Sequence, residues 1–394
     1  MALDINQKKI CTFIDTEKER LLSTSHQIHA RPELGNQEIF ASGLLAEMLE
    51  GYGFKVERNY LDIPTAFRAC KTGRKERPRV SFLAEYDALP GVGHGCGHNV
   101  IATASLGAGI GLGAVIAELE GEVCVIGTPA EETTGAKVTM VRKGAFQDID
   151  LSMMIHPYNG NYYVTEALAV NAVSVRFKGR PSHAAASPWD GLNALDAMIL
   201  LFNNIGALRQ QLRPDARIHG VITNGGAAAN IIPDLTEALF NVRAMQRDYL
   251  NSLMGKFKDC ARAAALATGT ELEVTVFENG YDNMVNNLTL AERFRDHMVD
   301  HLGSEPFQRA PDSFGSIDMG NVSKVVPAVH ILINITEDPA VSLHTEAFKR
   351  AARTPLADQV MLRAAKGLAL TAYDALTDAK FLQSAWAEFK TSPG

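Results

Sequence analysis

Residues 93–99 read Gly-His-Gly-Cys-Gly-His-Asn, and the apolar run Val80-Ser-Phe-Leu-Ala-Glu-Tyr-Asp87 ends shortly before them. Two side chains of the metal-ligand type, Cys96 and His98, stand one glycine apart. Residues two apart diverge on a helix, whereas a glycine-rich turn allows them to converge. Because α/β folds place their sites at the carboxyl ends of strands, this stretch predicts an α/β fold with a metal-binding turn after a strand.

Helical and strand patterns alternate on both sides of this stretch. The strands are continuous apolar runs, which is typical of a sheet covered by helices on both faces. The predicted fold class is therefore α/β, with a mixed, mostly parallel sheet flanked by helices. The predicted helices span residues 7–25, 36–52, 100–117, 136–144 and 355–378, and the predicted strands span 54–59, 79–87, 123–127, 151–155 and 325–334.

A different pattern occupies the middle of the chain. Between residues 168 and 282 the order of predicted elements is βαββαβ, which is the ferredoxin-like arrangement. We therefore predict an inserted α+β domain at 168–282 that acts as a lid and dimerisation domain. The catalytic domain is then discontinuous and comprises residues 1–167 and 283–394.

Composition narrows the class of protein. A chain of 394 residues predicts two domains, and the net charge of −7 argues against nucleic acid or an anionic membrane as a partner. Five cysteines are too few for a disulfide framework, and a charged N-terminus lacks a secretory pattern, so we expect a cytoplasmic protein.

Residues 100–117 are uncharged but rich in glycine, which favours a buried helix over a membrane span. The basic segment 68–79 predicts a solvated hairpin turn.

More residues of chemical interest follow predicted strands. Glu131 and Glu132 are adjacent carboxylates, of which one can bind a metal while the other transfers protons. His156 closes another apolar run, and His344 comes after the last strand. Cysteine, histidine and carboxylate together suit a borderline-soft divalent cation such as zinc.

The inserted domain offers three further candidates. His183 lies in a loop of small residues and could approach a ligand or be a structural turn residue. Asn230 lies in a second such loop. Arg243, near the end of a predicted strand, could pair with a carboxylate or simply be exposed.

These motifs resemble the co-catalytic dizinc metallopeptidases of the aminoacylase/carboxypeptidase type, and most closely their amidohydrolase branch, which includes hippurate and p-aminobenzoyl-glutamate hydrolases. The resemblance runs in order along nearly the whole chain. One departure is Glu85-Tyr86-Asp87, where many relatives have Asp-x-Asp. The matching stretches are Gly93–Asn99, Pro129-Ala-Glu-Glu132, Ile155-His-Pro157, Ser182-His-Ala-Ala185, Asn230-Ile-Ile-Pro233 and Leu343-His-Thr345.

The resemblance implies a role for each candidate. Glu131 would be the general base and acid, and His183 the oxyanion-stabilising group, contributed in cis or from the partner subunit of a homodimer. Asn230 and Arg243 would contact substrate, and Asp87 would support the metal ligands. Two divalent ions, most simply Zn²⁺ but with Mn²⁺ or Co²⁺ as alternatives, would be bound by Cys96, His98, Glu132, His156 and His344.

The predicted function is metal-dependent hydrolysis of an amide bond in an N-acyl, aryl-acyl or β-aminoacyl amino acid or dipeptide. Removal of an aryl amine on the same site is an alternative. A dinucleotide-binding oxidoreductase is a second alternative, prompted by the Gly-x-Gly-x-x-Ala pattern at 109–114. A non-catalytic binding protein on the same scaffold is a third.

Overall fold

The computed structural model describes residues 2–311 and 315–392, which form two compact units. The first unit holds residues 2–166, 284–311 and 318–392, and the second holds 167–283 together with 315–317. The second unit is thus inserted into the chain of the first. The sequence pattern gives no sign that residues 315–317 return to the second unit.

Both units are built from helices and strands that follow the polarity pattern of the chain. In chain order the described helices are α1 (Ile5–Thr16), α2 (Lys18–Ala30), α3 (Ile39–Gly51), α4 (His98–Gly113), α5 (Ala136–Arg142), α6 (Ala194–Leu208), α7 (Arg247–Thr268), α8 (Leu288–Asp296), α9 (Met319–Ser323), α10 (Glu346–Ala351), α11 (Pro355–Thr377) and α12 (Ala379–Thr391). The strands are β1 (Lys55–Arg58), β2 (Phe67–Thr72), β3 (Arg79–Ala84), β4 (Glu122–Gly127), β5 (Leu151–Tyr158), β6 (Tyr162–Val164), β7 (Ala169–Lys178), β8 (Arg217–Asn224), β9 (Leu235–Ala244), β10 (Glu271–Val276), β11 (Gln308–Arg309) and β12 (Ala328–Asn334).

The sheet of the first unit has the order β1-β2-β4-β3-β5-β12-β6-β11. Its centre is parallel, since β4, β3, β5 and β12 run in one direction, whereas β1 and β2 are antiparallel neighbours at one edge. The mixed, mostly parallel sheet that we predicted is confirmed. The carboxyl ends of the four central strands lie at one edge of the sheet, where side chains distant in sequence can meet.

Helix α4 is the central helix of the first unit, and every residue of it is buried. Glycine is required where the helix meets its neighbours: a Cβ at Gly109 would lie 2.3 Å from Val125 Cγ2 on β4, and one at Gly111 would lie 2.6 Å from Ile14 Cδ1 on α1. Residues 109–113 are therefore packing residues inside a helix, and the dinucleotide-binding interpretation of 109–114 is wrong. None of the described helices is both long and apolar enough to span a membrane.

Two local predictions are also wrong. Residues 7–25 form two helices, α1 and α2, because the chain leaves helical geometry at Glu17, which caps both. Residues 67–72 form β2 rather than part of a hairpin turn, and β2 pairs with β4 instead of with β3. Its alternation of buried Phe67 and Ala69 with partly exposed Arg68 is the period-two pattern of a strand. The many basic side chains of residues 68–79 make this strand pattern hard to recognise in the sequence.

The register of β2 and β4 also places Cys70 opposite Cys124. The two sulfur atoms form a disulfide. The number and spacing of the cysteines did not indicate this pairing, since the two residues are 54 positions apart in the chain. Cys11, Cys96 and Cys260 are free thiols.

The second unit is a four-stranded antiparallel sheet in the order β10-β7-β9-β8. Its chain order is β7-α6-β8-β9-α7-β10, which confirms the predicted ferredoxin-like fold. Helices α6 and α7 pack on the sheet through a core that includes Phe177, Phe240 and Phe257.

Candidate metal and catalytic site

Cys96 lies in the turn that joins β3 to α4, and His98 is the first residue of α4. Gly97 caps α4 with φ 73°, a left-handed conformation that favours glycine. A Cβ at Gly97 would lie 3.0 Å from Pro157 Cγ, so this glycine also allows the turn to approach the end of β5. As a result the ring centroids of His98 and His156 are 5.8 Å apart, with the rings edge to face.

Glu131 and Glu132 lie in the turn after β4. Ala130, immediately before them, has φ 60°, a conformation that costs a non-glycine residue about 1–3 kcal/mol. The turn is held by the buried carboxylate of Glu38, whose Oε1 accepts the backbone N–H of Ala130 at 2.8 Å and whose Oε2 accepts the hydroxyl of Thr65. The backbone thus stores strain at the position that orients the two carboxylates.

His344 lies in the loop between β12 and α10. It too has a positive φ, 65°, and its backbone N–H donates to Gly95 O at 3.0 Å. This bond ties the loop to the turn that carries Cys96. The His344 side chain is 59% exposed within the chain, in contrast to Cys96 and His98, which are 5% and 1% exposed.

The ligand atoms of the predicted metal-binding residues converge in two overlapping groups. Cys96, His98 and His156 form the deep group, and Cys96, Glu132 and His344 form the outer group. Within each group the candidate ligand atoms lie within 4.8 Å of one another. The predicted base, Glu131, lies in a further group of the same size with His98 and Glu132.

The donor atoms of these groups fit a bound cation. Among the described residues, His98 Nε2 and Glu132 Oε1 are buried and have no hydrogen-bond partner. The two atoms are 3.8 Å apart, and Glu132 Oε1 is 3.7 Å from His344 Nε2. Buried polar atoms are normally paired, so unpaired ones that face each other indicate a position for an ion.

Asp87 orients two of the predicted ligands. Its Oδ1 accepts the Nδ1–H of His98 at 3.0 Å, and its Oδ2 accepts the backbone N–H of Glu132 at 2.9 Å. The first bond leaves Nε2 of His98 as the atom available to a metal, which is the usual arrangement of a carboxylate behind a ligating histidine. The structure therefore places Asp87 where it can support both ligands.

Burial and neighbouring charges shift the pKa of every titratable side chain in the deep group. Burial, and then the Glu132 carboxylate, raises the pKa of the Cys96 thiol. Burial would lower the pKa of His98, but the carboxylates of Asp87, Glu85 and Glu132 together outweigh it and raise that pKa to about 10. Burial, and then His330, lowers the pKa of His156 to about 3. Perturbed pKa values of this kind are concentrated at functional sites.

The carboxyl group of Glu131, in the turn after β4, has a strongly raised pKa. Burial raises its pKa well above the ordinary value, and the carboxylates of Glu85, Asp318 and Glu132 raise it further. A buried carboxylate with a raised pKa is a stronger base than an exposed one, which suits it to accept a proton and return it.

Beneath the deep group lies an ion-pair network that the sequence did not reveal. Lys137, at the start of α5, is completely buried, and its Nζ donates to Glu85 Oε1 at 2.6 Å and to Asp318 Oδ1 at 2.8 Å. The Lys137 ammonium lowers the pKa of Glu85 to about 2, although burial would raise it. The sequence signal for this network was Glu85 itself, at the departure from the Asp-x-Asp pattern of the family that the motifs resemble.

Other histidines of the first unit have structural partners. His94 donates to Ile28 O and stacks on His29, which donates to Lys349 O. His26 pairs with Asp358, and His297 with Asp374. His330 is buried with its ring centroid 5.4 Å from that of His156, so it packs behind a predicted ligand.

The candidates of the second unit lie in two loops and one strand. His183 is exposed, and its Nδ1 accepts the backbone N–H groups of Ala185 and Ala186. Asn230 is exposed and its carbonyl accepts the N–H of Ala184, so the two loops are neighbours. Arg243 lies on β9 and its Nη1 is 3.3 Å from Ser316 Oγ.

Comparison with known sequences identifies relatives of this chain. Residues 82–367 match the family described as Peptidase family M20/M25/M40. The chain is 38% identical to the Xaa-Arg dipeptidase of Mus musculus, and the match covers 98% of this chain and 93% of that protein. It is 33% identical to a p-aminobenzoyl-glutamate hydrolase polypeptide of Escherichia coli (strain K12), over 74% of this chain and 64% of that protein.

Solved structures show the same fold at low sequence identity. An aminohydrolase structure from methicillin-resistant Staphylococcus aureus superposes with a TM-score of 0.80 at 18% identity and covers 93% of this chain and 99% of its own. A structure from Bacillus subtilis, described as a dinuclear metal binding peptidase from the M20 family, superposes with a TM-score of 0.64 at 21% identity, over 88% of this chain and 98% of its own.

Proposed function

The chain belongs to Peptidase family M20/M25/M40 and is a metal-dependent hydrolase of amide bonds, and on that premise we propose that it is a dipeptidase for dipeptides with a C-terminal arginine. The observation that carries the proposal is the convergence of Cys96, His98, Glu132, His156 and His344 in two groups that share Cys96. The substrate class follows from the relative that matches 98% of this chain, whose name specifies a dipeptide ending in arginine.

We assign the five converging residues as ligands of two divalent cations. The thiolate of Cys96 favours Zn²⁺ over the harder Mn²⁺, with Co²⁺ as the other candidate. The name of the Bacillus subtilis structure, a dinuclear metal binding peptidase, supports the number of ions. When bound, the two cations would supply an activated water and polarise the scissile carbonyl.

Glu131 is the residue that we assign to proton transfer. It would take a proton from the attacking water and return it to the leaving amine, because its raised pKa allows both steps. Glu132, whose backbone is held by Asp87, would remain a ligand throughout. The hydrogen bonds that His98 Nδ1 and the backbone N–H of Glu132 donate to Asp87 would keep both residues in place while Glu131 exchanges protons.

The second unit would supply the remaining groups. We assign His183 to the developing oxyanion, from its own chain or from the partner subunit of a homodimer that forms through this unit. Asn230, whose loop is hydrogen-bonded to that of His183, would contact the substrate. Arg243 would bind the substrate carboxylate, because a guanidinium makes paired hydrogen bonds to such a group.

A cytoplasmic location completes the proposal. The low cysteine content supports it, with five cysteines in 394 residues, whereas the Cys70–Cys124 disulfide is a feature more typical of an oxidising compartment. Cell fractionation would test the location, and light scattering of the purified protein would test the homodimer.

The decisive experiment is a hydrolysis screen of the Zn²⁺-reconstituted protein. X-Arg and X-Lys dipeptides, p-aminobenzoyl-glutamate, N-acyl amino acids and an aryl-amide would be compared by kcat/KM. We expect X-Arg dipeptides to be cleaved best and a chelator to abolish activity until Zn²⁺ is restored. Preferential cleavage of p-aminobenzoyl-glutamate or of the aryl-amide would replace the proposed substrate, and activity that survives complete metal removal would refute the mechanism.

A further inference from the structure

Lys137 is the most completely buried cation of the described chain. Its side chain is 0% exposed, and its ammonium contacts two carboxylates that are also buried, Glu85 and Asp318. Its backbone N–H donates to the second oxygen of Asp318 at 3.2 Å. The three residues come from α5, from the end of β3 and from the residue before α9, so the contacts join three segments of the first unit.

The position of Glu85 connects this triad to the metal ligands. One oxygen, Oε1, accepts from Lys137, whereas Oε2 is buried and has no hydrogen-bond partner among the described residues. Oε2 lies 3.6 Å from Nε2 of His98, which is also buried and without a partner. A carboxylate oxygen and an imidazole nitrogen that are both unpaired therefore face the same small volume.

Stability alone does not account for this arrangement. A buried ion pair is often no more stable than apolar residues of the same volume, and a carboxylate oxygen left without a partner adds a desolvation cost. Two carboxylates share one ammonium, and the carboxylate charge of Glu85 extends to Oε2, which faces His98. Such a charge is favourable when a cation occupies the facing volume.

We propose that Lys137 is a positioning residue of the metal site: with Asp318 it holds Glu85 so that Oε2 faces His98 and places a negative charge beside the cation that His98 binds. The inference rests on the proposed function, since it takes His98 to be a metal ligand. Lys137 and Glu85 then act together, so the loss of either residue removes the same contribution to cation binding.

Three variants test whether Lys137 and Glu85 act together. Glu85→Gln keeps the size of the side chain and an oxygen for Lys137 but removes the charge that faces His98. Lys137→Met removes the ammonium at similar volume, and the third variant combines both changes. The matched control is Asp374→Asn, because Asp374 is a buried carboxylate of the same unit that pairs with Arg293 and His297, neither of them a proposed ligand.

Zn²⁺ affinity of the metal-free proteins would be measured by competition with a chromogenic chelator, alongside thermal unfolding. We expect each single variant to bind Zn²⁺ about 10–100-fold more weakly, as for other residues that orient ligands, and the double variant to be no weaker than the weaker single one. Asp374→Asn should melt earlier and bind Zn²⁺ as the wild type does.

Two outcomes overturn the proposal. The first is a Glu85→Gln protein that binds Zn²⁺ with wild-type affinity, which would make the triad purely structural. The second is a double variant whose loss equals the product of the two single losses. If Lys137→Met does not fold, the Glu85→Gln result decides alone. Failure of the proposed function is separate, since it would appear as absent hydrolysis or absent Zn²⁺ binding in the wild-type protein.

Discussion

The two units hold their candidate residues in opposite ways. In the first unit Cys96, His98 and His156 are buried, and each histidine is oriented by a hydrogen bond that its Nδ1–H donates to a carboxylate or a carbonyl. In the second unit His183 and Asn230 lie on exposed loops of small residues. Buried polar groups without partners indicate a position for an ion, whereas exposed polar groups give no such signal. Changes in the first unit should therefore alter cation binding, and changes in the second should alter turnover alone.

The largest effect is expected at Glu131, which belongs to the first unit but is assigned to proton transfer and not to cation binding. Glu131→Gln should lower kcat by about 10²–10⁴-fold, because an amide cannot accept the proton. Steady-state kinetics would be combined with metal analysis, which should show wild-type Zn²⁺ content. Glu132→Gln is the matched comparison and should lose Zn²⁺ as well as activity. Near-normal turnover of Glu131→Gln would remove this residue from the mechanism.

His183→Ala tests the second unit directly. We expect kcat to fall about 10²–10³-fold, as for loss of one oxyanion donor, with Zn²⁺ affinity unchanged. His219→Ala is the control, since His219 is an exposed histidine on β8 of the same unit. A rise in KM at constant kcat would make His183 a substrate-binding residue, and weaker Zn²⁺ binding would end the distinction between the two units.

A smaller effect is expected from the residue that orients two ligands. Asp87→Asn should reduce Zn²⁺ affinity about 10–100-fold, because it weakens the bonds to His98 and to the backbone of Glu132. Competition with a chelator measures this change. The control is Asp338→Asn on the exposed loop before His344, where the carboxylate accepts only a local backbone N–H. Equal affinities of the two variants would contradict the role of Asp87.

The difference between the units also explains what the sequence could predict. Glu131, Glu132 and His344 follow strands, and His156 lies near the carboxyl end of β5. Because parallel strands end at one edge of the sheet, the convergence of these residues could be expected before any coordinates. The motif resemblance predicted the family, and the family is confirmed by the match over residues 82–367. The catalytic and ligand roles themselves stay predictions.

Other features depended on contacts that no local pattern records. A lysine in the first turn of a helix normally indicates a solvated surface. Lys137 is buried because Glu85 and Asp318, 52 and 181 positions away in the chain, come to its ammonium. The pairing of β2 with β4, and with it the Cys70–Cys124 disulfide, likewise depends on which strands become neighbours. Sequence indicates where a strand ends more readily than what lies beside it.

The smallest change expected is a difference of one proton in the slope of Zn²⁺ affinity against pH, and it concerns the deep group. Burial and the Glu132 carboxylate raise the pKa of Cys96, so near neutral pH the metal-free protein holds this thiol protonated. A cation binds the thiolate, so binding releases this proton. The release of one proton should make Zn²⁺ affinity rise about tenfold per pH unit. His98, whose pKa is raised to about 10, loses a proton on binding in the same pH range and steepens the rise. Chelator competition between pH 6 and pH 8 measures the slope, and Cys96→Ala should lower it by one proton. A slope that is the same in wild type and Cys96→Ala would place the thiol outside the ligand set and leave the deep group with its histidines alone.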